Sequence, residues 1–238
     1  MTLPADLLAS LVAADGTRPR LTFYDDAAGP TRGERIELSG RVLANWVAKA
    51  ANLLQHDLDG APATTVGLDL PAHWRAFYWA LASWSVGSTV VLGPDARTAD
   101  VVVTTDPQVA GEVAEGAGLA VLVTLPMLAR GNPVTPADTV DEAHDLAGYG
   151  DLFSPWEEPD ERSPALVVDG AATGYGQVVV PTYASGSAPR VRVPDRLGDA
   201  LVAALSAWAA DGSVVLVREP AADQADRLAS EGVTVDLA

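Results

Sequence analysis

The sequence predicts an α/β protein of two lobes, in which sheets of mixed or parallel strands are flanked by helices. Short β-branched runs alternate with helical patterns along the chain, and this alternation is typical of parallel sheets covered by helices. A strand–helix–strand unit also occurs twice, at an offset of about 124 residues. An acidic stretch at residues 136–163 separates the copies, so we expect a first lobe at 1–135 and a second at 164–238.

The first lobe begins with a predicted helix over residues 3–12. Two short alternating runs, at residues 21–24 and 35–38, predict a β-hairpin with a long turn. Ser39 then supplies an N-cap hydroxyl, and apolar residues recur after it at three- and four-residue steps. This spacing predicts an amphipathic helix that ends near His56.

Strands and helices alternate through the rest of this lobe. Pro71 is suited to a helix start, and Gly87 to a helix end. The helix between them is apolar on more than one face, which predicts that it is largely buried and that its tryptophans belong to the core. Strands are predicted at residues 65–70, 88–92, 100–104 and 119–123, with a further helix at 107–116.

The repeated unit reads strand, proline, helix, glycine, strand. Its helix carries Ala80-Leu-Ala-Ser-Trp84 in the first copy and Ala204-Leu-Ser-Ala-Trp208 in the second. Its closing strand reads Gly87-Ser-Thr-Val-Val-Leu92 and then Gly212-Ser-Val-Val-Leu216. A helix near residues 221–230 and a strand at 233–237 complete the second lobe.

The acidic stretch contains nine acidic residues between positions 136 and 161, with neither lysine nor arginine. Prolines occur at both of its ends. Charge runs of this kind are usually solvated connections, so we interpret residues 136–163 as an exposed linker between lobes.

Composition excludes several classes of function. The net charge is −17, which argues against nucleic acid and anionic membranes as partners. No apolar run reaches the roughly 18 residues of a membrane span. The first residues do not resemble a signal peptide, and cysteine is absent, so we expect a cytoplasmic protein. Lys49 is the only lysine and is expected at the surface. The arginine- and alanine-rich usage is typical of a high-GC, actinobacterial genome.

Residues 164–181 hold the most informative segment, a nine-residue loop with three glycines between two β-branched runs. One interpretation is a glycine-rich hairpin, for which Asp169-Gly170 is a typical turn. The other is a phosphate-binding loop, in which backbone N–H groups approach a phosphate and a lysine completes the site. The position of that lysine is occupied by Gln177.

Taken in order, these pieces resemble the N-terminal half of the adenylate-forming superfamily, the acyl- and aryl-CoA synthetases. The likeness lies in the hairpin and its following helix, in Val66-Gly-Leu-Asp-Leu-Pro71, in the strand ending at Leu92, in the loop position and in residues 205–216. In that family the loop reads roughly Thr-Ser-Gly-Thr-Thr-Gly-x-Pro-Lys and surrounds the phosphates of ATP. The resemblance places the nucleotide-binding residues of this chain at Asp169, Gly170, Thr173, Gly174, Tyr175, Gly176 and Gln177.

The departures from this motif argue against the family's reaction. Only Thr173 and Gly174 match; Asp169 replaces a hydroxyl residue, and Gln177 replaces the lysine. One favourable charge is lost and one repulsive charge is gained, a change on the order of several kcal/mol at a partly desolvated site. The family's adenine-binding segment, its magnesium-binding motif and its C-terminal domain with a catalytic lysine would lie beyond position 238.

We therefore expect a truncated, degenerate relative without ligase activity that acts as a binding or scaffold module and retains at most weak ATP or AMP binding. The alternative is one half of a split acyl-CoA synthetase, completed by a second polypeptide. A homodimer or a partner protein could cover an apolar face exposed by truncation. No metal is expected, because His56, His73 and His144 are scattered, and His73 is interpreted as a structural histidine. Neither a nucleophile elbow nor a dinucleotide fingerprint is present.

Overall fold

The computed structural model describes residues 2–238, which form eight α-helices and twelve strands. The helices are α1 (Pro4–Asp15), α2 (Gly40–Asp57), α3 (Trp74–Ser85), α4 (Pro107–Glu115), α5 (Glu142–Asp145), α6 (Tyr175–Val178), α7 (Leu197–Ala209) and α8 (Ala225–Ser230). The strands are β1 (Pro19–Asp25), β2 (Arg35–Ser39), β3 (Thr65–Asp69), β4 (Thr89–Leu92), β5 (Val101–Thr104), β6 (Leu119–Leu122), β7 (Thr139–Asp141), β8 (Pro164–Val168), β9 (Ala171–Gly174), β10 (Arg190–Val193), β11 (Ser213–Arg218) and β12 (Val235–Asp236).

The strands make two sheets that are parallel except for one edge strand each. A five-stranded sheet has the order β12-β10-β11-β1-β2, with β2 antiparallel. A seven-stranded sheet has the order β7-β6-β5-β3-β4-β8-β9, with β9 antiparallel. The predicted fold class, α/β with parallel-rich sheets flanked by helices, is confirmed. None of the helices within residues 2–238 is long and apolar enough to cross a membrane.

The chain divides into two compact units whose sequence ranges interleave. One unit contains the residues up to Ala44, Pro71–Phe77 and Gly176–Ala238, and the other contains Asn45–Leu70 and Tyr78–Tyr175. This division differs from consecutive lobes at 1–135 and 164–238. The first strand, β1, pairs with β11 near the end of the chain, whereas β8 and β9 extend the sheet of β3 and β4.

The acidic stretch is also more structured than a linker. Residues 139–141 form β7, which pairs in parallel with β6, and Asp141 caps α5 by accepting a hydrogen bond from the Ala143 N–H. Glu142 is 1% exposed. The acidic stretch is therefore not exposed to solvent along its whole length.

Helix α3 begins at Trp74 rather than at Pro71, because His73 caps it. The His73 Nδ1 atom accepts a hydrogen bond from the backbone N–H of Arg75 at 3.3 Å, as an N-cap oxygen does at other helices. The predicted burial of α3 is confirmed, since Trp74, Trp79 and Trp84 are at most 2% exposed.

The two copies of the repeat, β3–α3–β4 and β10–α7–β11, adopt the same local arrangement. In both copies the two strands are parallel neighbours. Trp84 donates its indole N–H to the Ala165 carbonyl at 2.7 Å, and Trp208 donates to the Arg20 carbonyl at 3.1 Å. Each acceptor lies on the strand beside the closing strand of its own repeat, so each indole joins the crossover helix to a third strand.

Replacing either repeat tryptophan by phenylalanine should lower stability by a similar amount. Trp84→Phe and Trp208→Phe each remove an indole donor from a buried carbonyl and leave a small void, which together cost about 1–3 kcal/mol in the free energy of unfolding. Urea unfolding measures this. Trp156→Phe, at a ring that is 68% exposed, is the matched control and should change the free energy by less than about 0.5 kcal/mol. Equal effects at all three positions would contradict the structural role of the two indoles.

Candidate functional site

The glycine-rich segment is a β-hairpin closed by a two-residue turn. Asp169 and Gly170 both have positive φ, 49° and 80°, as a type I′ hairpin turn requires. On either side of the turn Val168 pairs with Ala171, and Val167 pairs with Ala172. The hairpin interpretation of this segment is confirmed. Residues 171–174 belong to the ladder of β9 with β8 rather than to an open loop.

The seven predicted site residues are spread along this hairpin and the turn of helix after it. Asp169 and Gly170 are exposed at the turn, Thr173 and Gly174 are half-buried in β9, and Tyr175 begins α6, with Gly176 and Gln177 exposed behind it. A strand advances about 3.4 Å per residue, so Gly170 and Tyr175 lie roughly 17 Å apart. The turn and the start of α6 are therefore at opposite ends of β9.

The Asp169 side chain lies against the end of a neighbouring strand. Its Oδ1 atom is 2.5 Å from the place where a Cβ on Gly93 would be, directly after β4. Gly93 also has a φ of +81°, a backbone conformation that favours glycine, and a Cβ there would displace the Asp169 carboxylate. A carboxylate, not a cation, thus occupies the carboxyl end of β4.

Tyr175 uses its hydroxyl within the core. The side chain is 1% exposed, and its hydroxyl donates to the Ser88 carbonyl at 2.8 Å. Burial raises the pKa of Tyr175 well above its ordinary value. One of the two hydroxyl groups in the predicted loop is thereby committed to holding β9 against the chain before β4.

Lys49 is not a freely solvated lysine. Its Nζ donates to the carbonyls of Ala147 and Tyr149, at 3.1 and 2.5 Å, and lies 3.0 Å from the Asp151 carboxylate. The side chain is 20% exposed. The chain's only lysine therefore has a structural role on α2.

His73 is fully buried and electrically neutral. Burial, and then the nearby charges of Arg75 and Arg218, lower the pKa of His73 to about 2. Because Nδ1 accepts the Arg75 N–H, the ring proton is on Nε2, which has no hydrogen-bond partner within the part of the chain that the structure describes. The ring forms a T-shaped pair with Phe23, with 4.4 Å between the ring centroids. This environment suits a structural histidine rather than a proton-transfer group.

The side chains that bind metals do not cluster in this protein, as far as residues 2–238 show. Among residues 2–238 there is no group of three or more histidine, cysteine or acidic side chains that could hold a metal ion. The phosphate groups of ATP also fit this hairpin poorly, since the residues from 169 to 177 offer a carboxylate and no cation.

Comparison with known proteins places the chain in a family. No family model matches the sequence. A "TIGR03089 family protein" of Mycobacterium tuberculosis (strain ATCC 25618 / H37Rv) is 35% identical over 244 residues, which cover 98% of this chain and 97% of that protein. The chain belongs to the TIGR03089 family. The alignment covers nearly the whole length of both proteins.

Comparison with solved structures shows which fold the chain has. The N-terminal domain of FACL13 from Mycobacterium tuberculosis aligns with a TM-score of 0.71 at 11% identity, over 99% of this chain and 62% of that one. An acyl-CoA synthetase of Brucella canis aligns with a TM-score of 0.74 at 15% identity, over 98% and 46%. The acetoacetyl-CoA synthetase from Streptomyces lividans aligns with a TM-score of 0.75 at 17% identity, over 98% and 42%. The chain has the fold of the N-terminal domain of adenylate-forming enzymes and spans between 42% and 62% of these three chains.

Removal of the Tyr175 hydroxyl should destabilise the hairpin. Tyr175→Phe leaves the buried Ser88 carbonyl without its donor, which costs about 1–2 kcal/mol in the free energy of unfolding. Chemical denaturation measures the change. Tyr183→Phe, at a half-buried ring, is the control and should stay within about 0.5 kcal/mol of the wild type. A loss of the same size at Tyr183 would show that the Ser88 contact is not the cause.

Acid should destabilise the protein through His73. The folded state keeps the ring neutral down to about pH 2, whereas the unfolded chain takes up a proton below about pH 6.5. The free energy of unfolding therefore falls as the pH falls through this window, by about 2 kcal/mol between pH 7 and pH 5 from this residue alone. Urea titrations of the wild type and of His73→Asn measure the contribution as the difference in pH dependence.

The imidazole signals in nuclear magnetic resonance provide a check that does not need the variant to fold. A neutral His73 ring at pH 5 agrees with the structure. A ring that titrates near pH 6.5 in the folded protein would contradict it.

Proposed function

We propose that this protein is a cytoplasmic binding or scaffold module that uses the fold of an adenylate-forming N-terminal domain without catalysing ligation. The fold is retained over nearly the whole chain, so the departures at the hairpin are local. They concern the residues that the superfamily resemblance assigns to the phosphates of ATP. A protein of this kind works through its surfaces rather than through a reacting group.

The observation that carries this proposal is the closed hairpin with Asp169 at its turn. A phosphate loop needs backbone N–H groups that point into open space, together with a positive charge. Here residues 171–174 are paired with β8, and the turn presents a carboxylate. A unit charge 4 Å from another of the same sign costs about 1 kcal/mol in water and about 4 kcal/mol near a protein surface, so triphosphate is repelled rather than bound.

The position of the only lysine supports the same conclusion. Lys49 contacts Ala147, Tyr149 and Asp151, all on its own unit, so its ammonium group is engaged by two carbonyls and a carboxylate. No second lysine exists in the sequence to replace the one absent from the hairpin.

Nucleotide titration tests the proposal. Calorimetry with ATP·Mg²⁺, AMP and an acyl-sulfamoyl adenosine should give no binding at micromolar affinity, and no carboxylic acid should support exchange of pyrophosphate into ATP. Gln177→Lys should leave ATP affinity within about twofold of the wild type, because one cation does not reopen a paired hairpin. Gln108→Lys, at an exposed position on α4, is the control for the change in net charge.

Two results would overturn the proposal in different ways. A rise of tenfold or more in ATP affinity for Gln177→Lys but not for Gln108→Lys would show that the hairpin still forms a phosphate site. Micromolar binding of the acyl-sulfamoyl adenosine by the wild type would favour the alternative of a split acyl-CoA synthetase, in which this chain supplies one half of the pocket.

A further inference from the structure

Helix α2 holds an irregular segment of chain by its backbone. We call this segment, residues 147–157, the strap. Three side chains one helical turn apart, Lys49, Asn52 and Gln55, contact it in succession. All of these residues lie in the unit that contains the seven-stranded sheet.

The contacts follow the strap along its length. Lys49 binds the carbonyls of Ala147 and Tyr149, and Asn52 Nδ2 binds those of Gly150 and Leu152 at 3.1 and 2.9 Å. Gln55 makes two hydrogen bonds through its side-chain amide. Its Nε2 donates to the Ser154 carbonyl at 3.3 Å, and its Oε1 accepts from the backbone N–H of Trp156 at 2.9 Å.

These contacts fix the backbone and leave two large apolar side chains in solvent. Leu152 is 90% exposed and Trp156 is 68% exposed. Fully burying such side chains is worth about 1.5–3 kcal/mol each, so a fixed segment that exposes both retains binding energy that the fold does not use. The Trp156 ring forms a T-shaped pair with His56, with 5.0 Å between the ring centroids.

A small cavity opens beside Trp156. Its volume is about 50 Å³, several times what one water molecule needs. Pro62, Val86, Trp156 and Glu157 are among the residues that line it. A tryptophan and a glutamate beside one cavity are residue types that suit the aliphatic stem and charged end of a lysine or arginine side chain.

The acidic residues near the strap also favour a basic side chain as its ligand. Glu157 and Glu158 follow Trp156 directly, and Asp160 and Glu161 come soon after, with Arg162 as the single basic residue of residues 147–162. A second copy of this chain, with its own net charge of −17, is a poor electrostatic match for such a surface.

We propose that the strap is the docking surface for a partner protein that presents a basic side chain flanked by apolar ones. The basic side chain enters the cavity between Trp156 and Glu157, and an apolar neighbour packs on Leu152. Because Lys49, Asn52 and Gln55 hold the strap in place before binding, the partner does not bear the entropic cost of ordering it. This inference names the binding surface of the scaffold proposed above and rests on that role for its biological meaning.

A synthetic peptide of alternating leucine and lysine, blocked at both ends, is the probe. Calorimetry at physiological ionic strength should give saturable binding to the wild-type protein. Leu152→Ala and Trp156→Ala should each weaken it by about tenfold or more, as truncation of an anchor residue does. Glu157→Gln should weaken it about threefold or more, and replacement of the peptide's lysines by glutamine should abolish it.

Matched substitutions elsewhere separate the strap from the general acidity of the protein. Leu128→Ala removes a leucine that is 82% exposed, and Glu115→Gln removes an exposed carboxylate of α4. Both should leave affinity within about twofold of the wild type. Leu152 is almost fully exposed, so Leu152→Ala keeps the test decisive even if Trp156→Ala disturbs the strap.

Three outcomes would overturn the proposal. They are the absence of saturable binding, equal weakening by Glu115→Gln and Glu157→Gln, and a dimer in sedimentation that Trp156→Ala dissociates, which would make a second copy the occupant. None of them bears on the absence of ligase activity, which the nucleotide titration and pyrophosphate exchange measure separately.

Discussion

Each sheet of this protein depends on a tryptophan that joins a crossover helix to a third strand. Parallel neighbours have no hairpin between them, so the helix that crosses from one to the other must be held in place by its own contacts. Trp84 and Trp208 provide one such contact each, through an indole N–H bonded to a strand carbonyl. Because the acceptor is backbone, the third strand can carry alanine at one copy, Ala165, and arginine at the other, Arg20. This explains how the repeat keeps its geometry while the adjoining strands share no sequence pattern.

The elements of this fold were predictable from the sequence, but the long-range pairing was not. Hydrophobic periodicity and proline and glycine positions are local signals, and they located α2, α4 and the hairpin of β1 and β2 closely. Nothing local shows that Leu21 pairs with Val214, or that Leu166 pairs with Val90 rather than within the second half of the chain. The partner strands β4 and β11 are both rich in valine, and a strand of this kind is satisfied by any buried parallel neighbour. The interleaved units follow from these choices of partner.

The candidate site divides in the same way. The Asp169-Gly170 dipeptide predicts a tight turn because both residues tolerate positive φ, and the hairpin has that turn. The strap left no comparable signal in its own residues, since α2 binds its carbonyl groups and every residue has a carbonyl. Its acidic residues instead suggested a solvated linker. The usable signal lay on the helix, where Lys49, Asn52 and Gln55 recur at three-residue spacing away from the apolar stripe.

Lys49 is the only lysine side chain at which an amine-directed modification can take place in this sequence. The Lys49 ammonium donates to two carbonyls and forms an ion pair with a carboxylate, whereas an acylated lysine keeps one N–H and no charge. Acylation at Lys49 therefore removes at least two of the three contacts at the start of the strap. Acylation of the only lysine in this chain would therefore also weaken the attachment of the segment that carries Leu152 and Trp156.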